Sequence, residues 1–319
     1  MTKPKLASKS SEDEGRFYRI PGRVDEHGKQ RAYPSVTNVL AQVNKPGLYQ
    51  WVADQTAAFA VANITQLNQR DDQAAWSFLR FYWNRTPDLT KPAGLRSHHD
   101  GVRDDAADLG TNVHELIEAD IDGGIPMPAV EAPEVWEMVG AWESWYDRHE
   151  IVSHHTEFTV VHDGLRYAGT ADADWTITCL HARPCVPDGS RCLVDLKTSR
   201  YTWPEHGMQL AALAQAPVAM VEVPEGTPGA VRAAKTEDGV RVISWWLERE
   251  QPTYDRAVLL HIRPRDLTPR GDRIEAFCEL KDMTEDLDLY AKGFEGALRL
   301  CEVAQSLKAR GDRRALVSK

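Results

Sequence analysis

The chain has 319 residues, 42% hydrophobic and 27% charged, which is enough for one large domain with an appended arm or for two modest domains. No apolar run approaches the roughly 20 residues that a membrane-spanning helix requires, so no transmembrane segment is expected. A net charge of −10 argues against a broad nucleic-acid coat, although not against a local basic lining around an acidic site.

Residues 1–15 are rich in Lys, Ser and Glu and lack the apolar stretch of a signal peptide. They predict a disordered tail and a cytoplasmic protein. The five cysteines, an odd number without an export signal, disfavour a disulfide framework. Residues 16–35 predict a short β-hairpin region. A helix follows from Val36, capped by Ser35 or Thr37, with Val39, Leu40 and Val43 on one face. Pro46 and Gly47 are expected to break it. Helices are then expected from Leu48 to Ala62 and over 71–83, and Pro87 to Asp100 reads as loop. The aromatics of this part, Trp51, Trp76, Phe81, Tyr82 and Trp83, suit core packing better than a stacking channel for single strands.

A further helix is expected from Leu109 to Ile121, ended by Gly123 and Gly124. Residues 131–149 predict an amphipathic helix whose stripe of Val135, Met138, Val139, Trp142, Trp145 and Tyr146 is core packing. The pattern then turns to β. Strands are expected over 153–162, 165–178 and 191–198, with Asp163 and Gly164 as a hairpin turn between the first two. A helix over 205–215, a strand from Val218 to Val223, a charged Pro/Gly-rich loop over 224–239, strands 240–247 and 257–263, and a helix over 284–310 complete the chain. The order predicts an α/β fold with a central mixed sheet flanked by helices.

Two strands carry anomalous charge. Period two puts Tyr167, Gly169, Ala171, Ala173, Trp175 and Ile177 on one face of 165–178, and Thr170, Asp172 and Asp174 on the other. In 191–198, Asp195 and Lys197 share a face, and Val194 and Leu196 the opposite, core-directed one. Strands disfavour Asp, and a buried charge must be paired or bound to a metal. Paired as a hairpin, the two strands would bring Asp172, Asp195 and Lys197 together. Two carboxylates and the carbonyl of Leu196 are hard oxygen donors for Mg²⁺ or Mn²⁺, and an adjacent ammonium can orient water and offset charge on a phosphate. A cross-strand Asp–Lys pair on a solvated face is the bland alternative.

Gly169, Thr170, Ala171 and Asp172, followed by Asp195, Leu196, Lys197 and Thr198, resemble the signature of PD-(D/E)XK nucleases, in their RecB-like and Cas4-like exonuclease branch. Gly110, Thr111, Asn112, Val113 and His114 resemble the first motif of that branch, in which a helical histidine joins the metal ligands. Glu157 matches its acidic residue in the preceding strand, and Gln209 its glutamine in the helix after the lysine strand. Pro34, Ser35, Val36 and Thr37, with Lys45, Pro46 and Trp51, look like the lead-in of phage-encoded members. The resemblance covers roughly residues 30–60 weakly and 105–215 well.

It implies a restriction-endonuclease-like core over 106–310, an N-terminal hairpin and helical cap over 16–105, and a basic tail over 311–319. It implies catalytic roles for Asp172, Asp195, Lys197, Gln209 and Glu157, and metal ligation by His114, Asp172, Asp195 and Leu196. The implied activity is a Mg²⁺- or Mn²⁺-dependent deoxyribonuclease, more an exonuclease than an endonuclease, in phage or mobile-element DNA recombination, repair or replication. Its partners would be single-stranded or duplex DNA ends and a phage recombination protein, inside a bacterial host cell. A catalytically silent DNA-binding subunit, or a nuclease for RNA or branched DNA, are the alternatives.

The sequence departs from the family in three places. Leu213 stands where the branch often has a tyrosine, four residues after the glutamine. Asp174 lies outside the Gly-x-x-Asp spacing and reads as a flanking charge or salt-bridge partner. No cysteine precedes Cys179, and Cys278 and Cys301 are too far apart for the family's C-terminal trio, so no iron–sulfur cluster is expected. Cys179, His181, Cys185 and Cys192 crowd the loop between the two charged strands. These four N/S donors within 14 residues could bind zinc, but the spacing lacks a Cys-x-x-Cys knuckle and favours reduced thiols. Basic residues cluster at Arg263, Arg265, Arg270 and Arg273, and again at Lys308, Arg310, Arg313 and Arg314, and the solvated-face reading is preferred for the latter group.

Overall fold

The computed structural model describes residues 6–9, 16–43, 45–62, 98–121, 123, 132–181, 184–237, 240–267 and 272–309. The expected helix over 71–83, the tail over 311–319 and Arg270 lie outside these residues. The chain divides into two compact units, one of residues 1–43 and 116–319 and one of residues 44–115.

The larger unit is mixed α/β, built on an eight-stranded sheet. In chain order its strands are β4 (His149–His162), β5 (Tyr167–Cys179), β6 (Ser190–Lys197), β7 (Val218–Val223), β8 (Val231–Glu237), β9 (Val240–Glu250), β10 (Arg256–Arg263) and β13 (Phe277–Asp282). Their order across the sheet is β13-β10-β6-β5-β4-β7-β9-β8. Among the described strands of this sheet only β6 and β10 pair parallel, Asp195 beside Leu259 and Lys197 beside His261. The central strands β6 and β10 are buried almost without interruption along their length, as strands covered on both faces must be. A small sheet of β1 (Ala7–Lys9), β2 (Arg16–Tyr18) and β3 (Tyr33–Pro34) precedes the large one, and β11 (Asp266–Leu267) pairs with β12 (Arg273–Ile274).

Six helices are described: α1 (Val36–Leu40), α2 (Pro46–Ala62), α3 (His98–Ile121), α4 (Pro133–Tyr146), α5 (Pro204–Gln215) and α6 (Leu287–Ala309). Ser35 settles the α1 cap, its hydroxyl accepting from the Asn38 amide at 3.0 Å. The predicted stripe of α4 is buried at Val135, Met138, Val139, Trp142 and Trp145. Helices α1, α5 and α6 share a core with the sheet, in which Val36, Leu210, Leu213 and Phe294 meet Phe158, Tyr167, Leu193 and Leu259.

The last carbonyls of a helix have no partner within it, and side chains from the sheet serve those of α5. Tyr167 donates to the Ala212 carbonyl at 2.8 Å and Gln251 to that of Leu213 at 3.0 Å. These bonds set the position of α5, and hence of Gln209, over β6. In the smaller unit the ring of Trp51 on α2 meets His99 on α3 edge-on at 6.4 Å.

Several boundaries differ from the sequence expectation. Pro46 opens α2 instead of breaking a helix, because a first-turn residue needs no amide hydrogen. His98, His99 and Asp100 are helical, not loop. Helix α4 stops at Tyr146, and His149 already begins β4. The four-residue turn 163–166 puts its left-handed residue at Arg166 (φ 58°), not at Gly164.

The charged stretch 224–239 contains strand β8, paired with β9 from Val231 to Glu237, and β13 adds an unexpected strand outside β10. Leu6 is buried and β1 pairs with β2, so the expected tail contains structured residues. Residues 16–43 belong with the sheet and not with a helical cap. Tyr18 bonds Thr170 at 2.7 Å, and Tyr33 donates to Asp163 at 2.6 Å.

Candidate active site

Strands β5 and β6 pair antiparallel from Ile177 opposite Ser190 to Ala173 opposite Val194, and there the ladder stops. Strand β6 continues to Lys197, so its next amides need other acceptors. The Asp172 carboxylate supplies one, accepting from the Leu196 amide at 2.7 Å. Asp172 is thereby fixed at the point where the two strands part.

Asp195 is fully buried, and its two oxygens are both engaged. Gln209 of α5 donates to Oδ1 at 3.0 Å, and the Lys197 ammonium pairs with Oδ2. Lys197 also donates to the Leu196 carbonyl at 3.2 Å. Five of the residues singled out in the sequence therefore form one connected set: Asp172, Asp195, Leu196, Lys197 and Gln209. It is not a solvated cross-strand pair, because the side chain of Asp195 is 0% exposed and that of Lys197 only 16%.

Glu157 falls opposite Asp172 in the β4–β5 register, between Thr156 paired with Ala173 and Phe158 paired with Ala171. Its φ of +49° is a left-handed conformation that a non-glycine residue holds at a cost of order 1–3 kcal/mol. A register shift between Ser153 and His155 lies just before it. Glu157 lines a cavity of about 420 Å³ together with His154, His155 and Glu222. Bulges and strained residues of this kind re-aim side chains out of the regular pleat. His114 is half-buried on α3 and belongs to the smaller unit.

The period-two assignment of faces requires correction. Tyr167 and Ala171 pack with Leu210 and Leu213 of α5, whereas Trp175 lies against Trp142 of α4 at 5.9 Å. The side-chain alternation of β5 therefore breaks in the segment that carries Asp172. On β6 the face of Asp195 is no less core-directed than that of Val194, since Leu193 packs against α5. Asp174 is a salt-bridge partner, held by Arg191 through bonds of 3.0 and 2.7 Å.

Leu213, four residues after Gln209, is buried against Gly169. The candidate basic lining is neutralised where it is described. Arg263 pairs with Asp266, Arg265 with Glu134 and Glu137, and Arg273 with Glu137 and Glu275.

Sequence reasoning missed the surroundings of the strand exit. His261, beside Lys197 on β10, donates from Nε2 to the Ser199 carbonyl at 2.7 Å. Lys281 donates to Thr202 at 3.1 Å. These bonds anchor a loop that exposes Tyr201 and Trp203, 52% and 43% accessible, with their rings edge-to-face at 5.9 Å. Two exposed aromatics directly after the Asp-x-Lys strand were the available signal.

The cysteine loop also differs from expectation. Cys192 is buried in β6 and its thiol turns to the Ser190 carbonyl, away from the other donors. Burial pushes the Cys192 thiol up to about 12. In its place His149, more than 30 residues upstream, joins Cys179 and Cys185.

Among the described residues no helix is long and apolar enough to cross a membrane. In comparisons with known proteins, no family model matches the chain and no curated protein matches it.

Proposed function

We propose that the protein is a metal-dependent DNA nuclease with a restriction-endonuclease-like core of the PD-(D/E)XK kind, acting as an exonuclease on single strands or duplex ends. The observation that carries this reading is the buried Asp195 carboxylate, held by Lys197 and Gln209 where β5 and β6 part and Asp172 takes the Leu196 amide. A binding module has no use for a carboxylate pair beside a buried lysine.

The donor set fits a hard divalent cation. It offers the carboxylates of Asp172 and Asp195 and the carbonyl of Leu196, all oxygen, and a cationic ammonium already rests on two of these three groups. Glu157 is the further residue proposed to serve it. When bound, Mg²⁺ or Mn²⁺ would polarise the scissile phosphodiester and lower the pKa of a water molecule.

Lys197 places its amine group at the end of its strand, where it can orient the attacking water and offset charge on the phosphate oxygens. Gln209 fixes the rotamer of Asp195, and Asp172 is fixed by the Leu196 amide. Tyr201 and Trp203 offer stacking faces to unpaired bases beside the strand exit.

Calorimetric titration of Mn²⁺ into the full chain and into Asp172→Asn and Asp195→Asn tests the reading. Binding by the parent that is lost in both variants is expected, together with DNA cleavage that EDTA stops. Absence of Mn²⁺ binding by the parent would contradict it.

A further inference from the structure

The hairpin that joins β5 to β6 carries a second group of ligating atoms. Cys179 lies seven residues beyond Asp172 on β5, about 23 Å away along an extended strand. Its Sγ is 3.2 Å from Cys185 Sγ, and Cys185 Sγ is 3.4 Å from His149 Nε2. The three ligand atoms all lie within 4.8 Å of one another.

They come from three separate places: the start of β4, the end of β5 and the hairpin loop. The histidine is prepared as a ligand. Its Nδ1–H donates to the Trp145 carbonyl at 2.7 Å, which leaves the lone pair on Nε2, the atom facing Cys185. Its ring is stacked on Trp145 at 4.0 Å and cannot turn away without losing that contact. Metal-ligating histidines are oriented in this way, by a hydrogen bond from the other ring nitrogen to a carbonyl or carboxylate. A second imidazole, that of His181 on the same loop, lies 5.2 Å from His149 between ring centroids and edge-on to it.

We propose that His149 Nε2, Cys179 Sγ and Cys185 Sγ bind one zinc ion, with His181 as the fourth ligand, in a structural site that ties the hairpin loop to the junction of α4 and β4. Two thiolates and two imidazoles form a closed set for a borderline-soft cation and a poor one for Mg²⁺ or Mn²⁺. Tetrahedral bond lengths separate two sulfurs by about 3.8 Å and sulfur from nitrogen by about 3.6 Å. The Cys179–Cys185 and Cys185–His149 spacings reach these values by side-chain movements of about half an ångström. Binding releases one proton from each thiol to solvent, and the bound set carries no net charge. The backbone already holds the loop in place, with the Cys179 amide donating to Asp188 at 3.1 Å and the Leu180 amide to the Arg148 carbonyl at 2.9 Å. Cys192, turned to Ser190, takes no part.

The test is metal content of the full chain purified with a phosphine reductant and without chelators, followed by cobalt replacement. One zinc per chain is expected in the parent and in Cys192→Ser, with loss in Cys185→Ser and in His149→Gln and weaker retention in His181→Ala. The cobalt form of the parent should show thiolate-to-cobalt charge transfer and the intense visible bands of a tetrahedral ion. That spectrum decides the matter if the variants fail to fold. A parent without zinc and without the tetrahedral spectrum, a Cys179–Cys185 disulfide in its place, or zinc retained in Cys185→Ser would each overturn the proposal.

Discussion

Gly169 stands at the start of the Gly-x-x-Asp segment because there is no room for a side chain. A Cβ at this position would lie 2.6 Å from Leu213 Cδ2 and 3.0 Å from Val36 Cγ2. Ordinary carbon contacts are about 3.5–4.0 Å, so Gly169→Ala forces α5 or the Leu213 rotamer to give by about 1 Å. Leu213 and Val36 are themselves buried, at 1% and 3% exposure. The clash should cost about 1–3 kcal/mol, less the gain of roughly 0.5–1 kcal/mol that alanine brings to a strand over glycine. Leu213→Ala alone should cost about 2–5 kcal/mol through the cavity it leaves. In the double variant the methyl group added at position 169 occupies part of that cavity, free of the Leu213 clash and left with the 3.0 Å contact to Val36. The two costs should therefore fall short of their sum by about 1 kcal/mol or more. Urea unfolding of the four proteins measures this. Additivity within about 0.5 kcal/mol, or a Gly169→Ala protein more stable than the parent, would refute the packing argument.

Gln209→Leu should lower the cleavage rate by about 10–100-fold, by releasing Asp195 Oδ1, with little change in DNA affinity; steady-state kinetics separate the two. Trp203→Ala should weaken single-strand binding by about 10-fold, since a stacked base contributes about 1–3 kcal/mol, and leave the maximal rate near that of the parent. Burial opposes ionisation of Asp163, but hydrogen bonds from Tyr33 and Arg23 outweigh it and hold the carboxyl below its usual range. A depressed carboxyl adds stability above its unfolded pKa of about 3.9, and that stability is lost as pH falls through the lower folded value. Unfolding midpoints of Asp163→Asn should accordingly fall less than those of the parent between about pH 5 and pH 2.

The elements that the sequence made legible are those with a local signal. The hairpin of β5 and β6 showed through strand-rich segments on either side of a Pro/Gly linker, and α4 through its aromatic stripe. Asp172, Asp195 and Lys197 stood out because carboxylates and lysine are anomalous inside β segments, and Gln209 only through the family resemblance. What failed was non-local. Strict alternation could not show that β5 changes face near Asp172, since the bulged partner strand and the packing of α5 impose that.

Strands β8 and β13 lie towards the sheet margins, where the solvent face accepts charge and the apolar signal is diluted. His149 read as the end of a helix. Only the fold brings it to Cys179 and Cys185, whereas the nearby Cys192 points elsewhere because strand alternation turns it into the core. The basic cluster around Arg263 was visible as charge, but its acidic partners Glu134 and Glu137 lie on α4, far away in sequence.

Lys197 and the carboxylates it accompanies are central to the proposed chemistry. The most direct test incubates the full chain and Lys197→Ala with end-labelled single- and double-stranded DNA in Mg²⁺, Mn²⁺ or EDTA. Metal-dependent shortening from an end by the parent, lost in the folded variant, is the predicted result. Cleavage that persists in Lys197→Ala or in EDTA, or no cleavage of any substrate by the metal-loaded parent, would contradict the account.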